Sequence, residues 1–317
     1  MATLCLNANA RGKFDNPDTI VVAKDGTGQF KNINEAIEVC RAFMEYHKVI
    51  YIRKGVYTEK VTIPSWLTNI ELCGEDRENT KIIWYDHANI YNQQTNQPIG
   101  TFRTYTIKVQ GDNITLKNLT IENAAPKLGQ AVTLHTEGNH LRFINCNILG
   151  NQDTIYTGVA GMKHYFNNCL IEGTTDFIFG PGIAWFEGCE LKSRVNSYVT
   201  AASTPKNQKY GYIFSNCKLT SYPGVDKVYL GRPWRAYAYT LFINCEMGKH
   251  IVSEGWQNWK DYHDPAQEGI VRYYEYNSTG EGANSEKRVA WSKQLTKKEA
   301  KLITLEEIFD KDVEWIH

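Results

Sequence analysis

Two consecutive stretches of the chain repeat one pattern, and their repetition predicts the fold. The first reads Phe143-Ile-Asn-Cys-Asn-Ile-Leu-Gly-Asn-Gln-Asp-Thr-Ile-Tyr156, and the second reads Phe166-Asn-Asn-Cys-Leu-Ile-Glu-Gly-Thr-Thr-Asp-Phe-Ile-Phe179. In each stretch an aspartate follows a cysteine by seven residues and a glycine by three, and the stretches lie 23 residues apart. Recurrence at such a period is typical of a solenoid.

The same frame recurs beyond these two stretches. A phenylalanine precedes a cysteine by three positions at Phe143/Cys146, Phe166/Cys169, Phe186/Cys189, Phe214/Cys217 and Phe242/Cys245. The segments are short, alternating and bounded by turn residues, which indicates β-strands, and no helix-length apolar periodicity separates them. We therefore predict an all-β fold, a parallel β-helix in which each repeat is one coil. Its cysteines are expected to form a buried, unbonded ladder.

The open ends of a solenoid need covers. An N-terminal capping helix is predicted between Asn32 and Tyr46, where a capping-box pattern precedes an apolar stripe that includes Phe43. Capping boxes beginning at Thr296 and Thr304 predict two short C-terminal helices at the other end. A disulfide among Cys5, Cys40 and Cys73 is the less favoured alternative to free thiols.

The composition excludes several functional classes. The 317 residues include 35 basic and 35 acidic side chains, and this neutrality argues against a general nucleic-acid binder. No apolar run approaches the roughly 20 residues of a membrane-spanning helix, so no membrane insertion is expected. The 8 Trp, 19 Tyr and 12 Phe are an aromatic excess that favours stacking on a flat ligand such as a sugar. No His or Cys group has metal-ligand spacing, so neither a metal nor another cofactor is expected.

The two aspartates of the repeated stretches are the first candidate for chemistry. If the register holds, Asp153 and Asp176 occupy equivalent places on adjacent coils, about 4.8 Å apart. Like charges at that distance should raise one pKa and lower the other, which makes one carboxylate an acid and its partner a base or nucleophile. The alternative is a structural ladder of turn-capping aspartates. The neighbouring aromatic residues, among them Tyr156 and Phe177, favour a site.

Four further residues are candidates to complete such a site. Arg232 lies in Val228-Tyr-Leu-Gly-Arg-Pro-Trp-Arg-Ala-Tyr237, where it could keep one carboxylate ionised while Trp234 offers a flat face to a sugar. Gln152 precedes Asp153, and Gln130 lies about one coil earlier. Amide donors of this kind can stabilise an oxyanion. A surface turn with an exposed arginine is the alternative interpretation.

At this point several motifs resemble those of the pectin methylesterases (pectinesterases). They are, in order, Asp25-Gly-Thr-Gly-Gln-Phe-Lys-Asn-Ile33, Gly55-Val-Tyr-Thr-Glu-Lys-Val61, Gly129-Gln-Ala-Val132, Gln152-Asp-Thr-Ile-Tyr156, Gly173-Thr-Thr-Asp-Phe-Ile-Phe-Gly180, Leu230-Gly-Arg-Pro-Trp234 and Gly255-Trp256 with Trp259. The resemblance implies a right-handed, single-stranded parallel β-helix over residues 11–317 as one catalytic domain. The loop Tyr91 to Phe102 matches little, which leaves the rim of the groove undefined.

The resemblance also implies roles for individual residues. Asp176 would be the nucleophile and Asp153 the general acid/base, with Arg232 holding Asp176 ionised. Gln130 and Gln152 would form the oxyanion hole, and Trp234, Trp256, Tyr156 and Phe177 would line the sugar groove. The reaction implied is hydrolysis of the C6 methyl esters of galacturonate in pectin (homogalacturonan), which yields methanol without a metal. The chain would act as a monomer.

A secreted or periplasmic location is expected because pectin is extracellular. Residues 1–10 are interpreted as a remnant of a secretion signal or a disordered tail, since Ala8-Asn9-Ala10 has the form of a signal-peptidase site but no charged, apolar leader precedes it.

Other functions stay open from sequence alone, because parallel β-helices host several chemistries. A Ca²⁺-dependent pectate lyase or another polysaccharide-active β-helix enzyme is one alternative, and Trp84-Tyr-Asp-His87 has a superficial likeness to a lyase motif. A (thio)esterase that uses the same residues on another ester is a second, and a binding β-helix with an inactive site is a third.

Overall fold

The computed structural model describes residues 12–259 and 270–317. The interpretation of residues 1–10 and the question of a Cys5 disulfide lie outside these ranges. The strands are β1 Ile20–Val22, β2 Lys48–Ile52, β3 Gly55–Thr58, β4 Val61–Ile63, β5 Ile70–Gly74, β6 Thr80–Trp84, β7 Tyr91–Asn92, β8 Gln97–Pro98, β9 Ile107–Val109, β10 Thr115–Lys117, β11 Thr120–Asn123, β12 Leu134–Thr136, β13 Leu141–Ile144, β14 Asn147–Leu149, β15 Ile155–Thr157, β16 Lys163–Asn167, β17 Leu170–Gly173, β18 Ile178–Gly180, β19 Ile183–Glu187, β20 Glu190–Ser193, β21 Tyr198–Ala202, β22 Tyr212–Ser215, β23 Lys218–Ser221, β24 Tyr229–Gly231, β25 Tyr239–Ile243, β26 Glu246–Met247, β27 Arg272–Tyr276 and β28 Lys293–Gln294. The helices are α1 Ile33–Glu38, α2 Lys297–Ala300 and α3 Leu305–Ile308, with 3₁₀ turns at Thr101–Arg103, Glu281–Ala283 and Glu314–Ile316.

The chain winds through three parallel sheets, visiting each once per coil. Within the described residues, sheet A has eleven strands in the order β1-β2-β5-β10-β13-β16-β19-β22-β25-β27-β28. Sheet B has eight, β26-β23-β20-β17-β14-β11-β6-β3, and sheet C has seven, β24-β21-β18-β15-β12-β9-β4. The predicted parallel β-helix is therefore confirmed.

The repeated frame forms the core. Phe143, Phe166, Phe186, Phe214 and Phe242 stack along sheet A with ring centroids 4.5 Å apart. Such offset aromatic pairs each contribute roughly 0.5–1.5 kcal/mol beyond burial of their area. The five cysteines of the frame are buried and free, and each thiol faces a carbonyl of the preceding coil, as Cys169 does with Phe143 O at 3.3 Å. The predicted unbonded ladder is confirmed, and Cys40 and Cys73 are also free.

The residue before each cysteine turns the chain from sheet A to sheet B. Asn145, Asn168, Asn216 and Asn244 all have φ between 51° and 55°, in the left-handed region that asparagine tolerates better than most residues. Asn168 Nδ2 donates to Asn145 Oδ1 at 3.1 Å, so the amides form a ladder between coils. Gly188 takes this place in its own coil, with φ 59° and open space where a Cβ would lie.

Replacing Gly188 with asparagine is therefore expected to stabilise the protein. The change restricts the unfolded chain at a position whose native backbone asparagine can adopt, an effect of about 0.4–1 kcal/mol in the free energy of unfolding. Gly188→Val is the matched control and should lower that free energy, because a β-branched residue is strained at positive φ. The measurement is the midpoint of denaturant unfolding for both variants. A lower midpoint for Gly188→Asn than for the unsubstituted chain would contradict the prediction.

The first helix is shorter than predicted and is capped differently. It ends at Glu38, and Asn32 makes no capping bond to the backbone. Instead the carboxylate of Glu59 accepts from Ile33 N and Asn34 N at 2.9 and 3.0 Å. Helix α1 packs on β1, β2 and β4, as a cover for this end of the solenoid requires. The expectation that Phe43 belongs to its buried stripe is wrong, since that side chain is 73% exposed.

The two C-terminal helices exist, and the capping box at Thr296 is formed, but their position differs from the expectation. They cover the outer face of sheet A rather than the open end of the solenoid. Ile308 and Phe309 pack there in one cluster with Trp185, Ile213 and Leu241, which point outward from β19, β22 and β25. Strand alternation explains this position of the helices. The residues next to the inward-facing phenylalanines point outward, and because they are apolar the outer face of sheet A has to be covered.

Candidate active site

Both candidate aspartates lie in equivalent turns between sheets B and C. Asp153 N donates to Thr175 O at 3.0 Å, and Asp176 N donates to Tyr198 O at 2.9 Å, so each turn bonds to the next coil in the same way. Both residues have positive φ, 66° and 49°. The downstream strands pair Ile155 with Ile178, which preserves the 23-residue offset. The aspartates are therefore stacked on adjacent coils, at about one strand spacing.

Gly173, three residues before Asp176, is required by close packing. A Cβ on Gly173 would lie 2.1 Å from Phe177 Cβ. Phe177 points into the core, so the turn can close over it only if residue 173 has no side chain. A similar constraint applies at Gly231, where a Cβ would lie 2.0 Å from Thr200 Oγ1. This close approach brings the following residue, Arg232, to the aspartate pair.

Arg232 holds one carboxylate and not the other. Its Nε and Nη2 donate to the two oxygens of Asp176 at 3.0 and 2.7 Å, a bidentate geometry that combines charge with fixed orientation. Asp176 and Asp153 are only 4% and 8% exposed. The site therefore contains two buried carboxyl groups in register, of which one has a guanidinium partner.

This arrangement makes the two carboxyl groups electrostatically different. Burial raises the pKa of Asp153 well above its usual range, and the Asp176 charge raises it further, against the opposing effects of Arg232 and Gln152. Burial also raises the pKa of Asp176, but the hydrogen bonds and charge of Arg232 oppose that rise. The expectation that the second pKa falls is wrong, because burial outweighs Arg232. The asymmetry itself is present: Asp153 favours the protonated form, and Arg232 stabilises Asp176 as the anion.

Two aromatic residues that sequence reasoning did not assign hold Arg232 in place. Its guanidinium carbon lies 4.2 Å from the ring centroid of Tyr198 and 4.1 Å from that of Trp259. Cation–π contacts of this kind are worth about 0.5–2 kcal/mol. The Tyr198 hydroxyl in turn donates to Gln257 Oε1. Trp259 could have been found from its place in the last of the family-like motifs, whereas no sequence feature pointed to Tyr198.

The outward residues of sheet C form the floor beside the aspartates. Strand register aligns Lys108, His135, Tyr156, Phe179 and Ala201 across five adjacent coils. Tyr156 stacks on Phe179 with centroids 4.7 Å apart, and Phe179 contacts Trp234 at 5.8 Å. Tyr156 and Trp234 are partly exposed. An apolar, aromatic floor beside the carboxylates is what a sugar-binding groove requires.

Two predicted groove residues belong elsewhere. Phe177 is fully buried in the main core. It lies in the turn before β18, and the outward position on that strand belongs to Phe179. Trp256 is 1% exposed, and its Nε1 donates to buried Glu275 at 3.2 Å. Neither side chain is available to a ligand, so both assignments are wrong. Phe179 has the outward register position instead, although its ring is only 4% exposed and packs against Tyr156 and Trp234. Trp259 is partly exposed and lies against Arg232. The alignment of Tyr156 with Phe179 already contained the signal for the outward position of Phe179.

The two glutamines lie in register with the pair. Ala131 N donates to Gln152 O at 3.0 Å, which places Gln130 one coil before Gln152. Both glutamines are partly exposed, and Gln152 directly precedes Asp153 and opposes the rise in its pKa. Their amides are therefore on the coils that bear the site, and their role as oxyanion donors stays a prediction.

The lyase-like stretch has a structural role. Trp84 ends β6, and Asp86 forms an ion pair with Lys60 at 2.6 Å. Within residues 12–259 and 270–317, no cluster of three or more His, Cys, Asp or Glu side chains is placed to hold a metal ion. None of the helices in those ranges has the length and apolar character needed to cross a bilayer.

A parallel β-helix that carries two buried carboxyl groups in register, one of them held by Arg232, beside partly exposed aromatic side chains has the features of an enzyme that acts on a polysaccharide. The comparisons with known proteins agree. The pectinesterase family profile matches residues 19–312, so the chain belongs to the pectinesterase family of carboxylic ester hydrolases.

Individual relatives extend over most of the chain. Probable pectinesterase 8 of Arabidopsis thaliana is 33% identical over 319 residues, covering 95% of this chain and 77% of the relative. Probable pectinesterase/pectinesterase inhibitor 58 of the same plant is 35% identical over 89% of this chain, but the match spans only 50% of that protein. The pectin methylesterase from carrot superposes with a TM-score of 0.86 at 30% identity, covering 94% of this chain and 95% of the carrot chain. A pectin methylesterase in complex with a hexasaccharide superposes at 0.79 and 30% identity, over 92% and 96%.

Proposed function

We propose that this pectinesterase hydrolyses the C6 methyl esters of galacturonate residues in pectin, with Asp176 as nucleophile and Asp153 as general acid/base. The observation that carries the proposal is the pair of buried carboxyl groups in register, only one of which Arg232 holds as an anion. An ionised carboxylate can attack an ester carbonyl, and a protonated one can give its proton to the departing methoxide.

The proposed reaction has two steps. The Asp176 carboxylate oxygen attacks the ester carbonyl, and the amides of Gln130 and Gln152 stabilise the tetrahedral oxyanion. The C–O bond to the methoxy group breaks while Asp153 transfers its proton to that oxygen, so methanol leaves and an anhydride-like acyl-enzyme forms. Asp153, now a carboxylate, takes a proton from water as the water attacks the acyl carbonyl. The galacturonate carboxylic acid and free Asp176 are the products, and Asp153 is protonated again.

The substrate groove is proposed from the aromatic floor. Tyr156 and Trp234, which are partly exposed and pack on the buried ring of Phe179, present apolar faces beside the carboxylates, and pyranose rings stack on such faces. Because pectin is extracellular, we propose a secreted or periplasmic location. A monomer is proposed as well, since one chain supplies all the residues named here.

An experiment on ester selectivity separates this proposal from a general esterase. Methyl-esterified homogalacturonan and a simple aryl acetate ester are supplied at equal ester concentration. We expect methanol release from the polymer with no change in its length, and little hydrolysis of the small ester. An unsaturated, shortened product would indicate a lyase, and faster turnover of the small ester would indicate a different natural substrate.

The dependence of activity on pH follows from the two carboxyl groups. Asp176 must be ionised, so activity is lost as pH falls through its pKa. Asp153 must be protonated, so activity is lost as pH rises through its raised pKa. Arg232→Gln removes the charge that lowers both pKa values, so both limbs of the kcat/KM profile should shift to higher pH while the maximum falls. Arg235→Gln, which removes an exposed guanidinium stacked on Trp234, is the control and should leave both limbs in place. Unmoved limbs in Arg232→Gln would refute the assignment.

A further inference from the structure

A buried ion pair lies behind the candidate active site, and the proposed reaction does not use it. Arg288 Nε and Nη2 donate to the two carboxylate oxygens of Glu275 at 2.9 and 3.0 Å, and the two side chains are only 4% and 3% exposed. Taking two charges out of water is costly, so a buried ion pair is weak evidence for a contribution to stability. Its role therefore depends on what the two side chains hold in place.

Arg288 uses all of its N–H donors within the fold. A guanidinium has five N–H groups, of which two contact Glu275. Nη1 donates to Val252 O and Ser253 O at 3.2 and 3.0 Å, and Nη2 also donates to a third backbone carbonyl at 2.7 Å. Glu275 in turn accepts from Trp256 Nε1 at 3.2 Å. The pair therefore joins β27 to the stretch of chain that leads into Trp256.

That stretch continues into a clamp segment, residues 255–259, which lies beside β24. Strand β24 is the last strand of sheet C in the described chain. Trp256 forms a parallel bridge with Gly231, and Gln257 N donates to Gly231 O at 3.2 Å. The clamp segment is thus paired with the residue directly before Arg232.

The clamp segment also reaches Arg232 through two of its side chains. The Trp259 ring centroid lies 4.1 Å from the guanidinium carbon. Gln257 accepts from the hydroxyl of Tyr198, whose ring centroid lies 4.2 Å from the same carbon. Because Arg232 makes the bidentate contact with Asp176, the position of the clamp segment determines how the nucleophile's partner is held.

We infer that the ion pair of Arg288 and Glu275 positions Arg232, and that it does so through the clamp segment. The inference rests on the proposed function, in which Arg232 orients the Asp176 carboxylate for attack. Because the pair acts through residues 255–259 and not on the substrate, its members are positioning residues rather than catalytic ones. A small displacement of a group that orients the reacting atoms is enough to cost activity.

Removing both charges together tests the inference in a folded protein. A single substitution would leave one buried charge unpaired, which is strongly destabilising, whereas replacing both members of a buried pair is often tolerated. Arg288→Met combined with Glu275→Gln removes the ion pair and the bonds from Arg288 to the backbone, and Gln keeps an oxygen for Trp256 Nε1. We expect kcat/KM on methyl-esterified homogalacturonan to fall about ten- to a hundredfold.

The pH profile separates positioning from a general loss of stability. A loosened Arg232 opposes the raised pKa values of Asp176 and Asp153 less strongly, so both limbs of kcat/KM should move to higher pH, as in Arg232→Gln but by less. The matched control is Leu72→Ala, which creates a cavity at a fully buried position of β5. It should lower the unfolding midpoint and leave both limbs in place. Unmoved limbs in the double variant, or equal movement in Leu72→Ala, overturn the inference.

A double-mutant cycle shows whether the effect passes through the clamp segment. Trp259→Leu removes the ring that this segment places on Arg232. If the ion pair acts through the segment, replacing the pair should cost much less in kcat/KM when added to Trp259→Leu than when added to the wild type. Fully additive losses would show that the pair and the segment act independently, and would overturn the inference.

A readout without turnover distinguishes this inference from the proposed function. The Nε–H of Arg232, which donates to Asp176 Oδ1 at 3.0 Å, is followed by NMR and assigned by its loss in Arg232→Gln. Its exchange with solvent should be faster in the double variant than in the wild type, and unchanged in Leu72→Ala. If that holds but the wild type releases no methanol, the proposed function fails and the positioning role stands. If methanol is released and the exchange rate is the same in both proteins, the positioning role fails and the proposed function stands.

Discussion

Replacing Asp176 with alanine is expected to reduce methanol release from methyl-esterified homogalacturonan by at least about 10⁴-fold, because removing a covalent nucleophile typically costs this much or more. No other described carboxylate is in position to substitute. Asp153 lies on the adjacent coil, but it lacks the bidentate Arg232 contact and its pKa is the more strongly raised of the two. Initial rates of methanol formation at saturating substrate measure the effect.

A control is needed to separate loss of the nucleophile from loss of the folded structure in Asp176→Ala. Asp176→Ala leaves the half-buried Arg232 without its carboxylate, which is destabilising in its own right. Asp176→Asn keeps the shape and one oxygen acceptor for Arg232, so it should retain the native circular dichroism spectrum and a near-normal unfolding midpoint. Both variants should be equally inactive. Activity of a well-folded Asp176→Asn within tenfold of wild type would remove Asp176 from the mechanism.

Replacing Asp153 with asparagine is expected to reduce kcat by about 10²–10⁴-fold, the usual range for a lost general acid/base. Asparagine matches the carboxyl group in shape but cannot transfer a proton to methoxide or take one from water. Because the change leaves the aromatic floor intact, affinity for the polysaccharide should alter little. Steady-state kinetics and calorimetric titration with a de-esterified oligomer together separate the two effects.

Asp226→Asn, at an exposed turn, is the matched control for this substitution and should leave kcat unchanged. A fall in affinity as large as the fall in kcat would show that Asp153 binds substrate instead of transferring protons.

The stacked pair could be predicted from sequence because a β-helix converts sequence period into spatial register. Asp153 and Asp176 share one offset from a cysteine and one from a glycine, and the coil places such residues side by side. Arg232 is different. It lies 56 residues beyond Asp176, and coils of unequal length intervene, so no spacing rule predicts its bidentate contact. The Val228–Tyr237 stretch made it a candidate partner of one carboxylate, and the family resemblance assigned that partner as Asp176.

The errors concern which way a residue faces, where an element ends and which surface it covers, none of which a short sequence pattern determines. Phe177 and Trp256 are next to functional positions in the chain, yet both point inward because β18 starts at Ile178 and Trp256 packs on Tyr273. Likewise the apolar periodicity around α1 could not show that the helix ends at Glu38 and leaves Phe43 exposed. The C-terminal helices were predicted from their caps, but caps carry no information on which surface a helix covers.

The central claim is that the carboxylate pair hydrolyses methyl esters of pectin without cleaving its backbone. Its most direct test is one reaction of the wild-type chain with methyl-esterified homogalacturonan, in which methanol, new carboxylates and polymer length are all quantified. The account predicts one carboxylate for each methanol and an unchanged polymer length. Shortened chains, or no methanol at all from the folded wild-type protein, would contradict it.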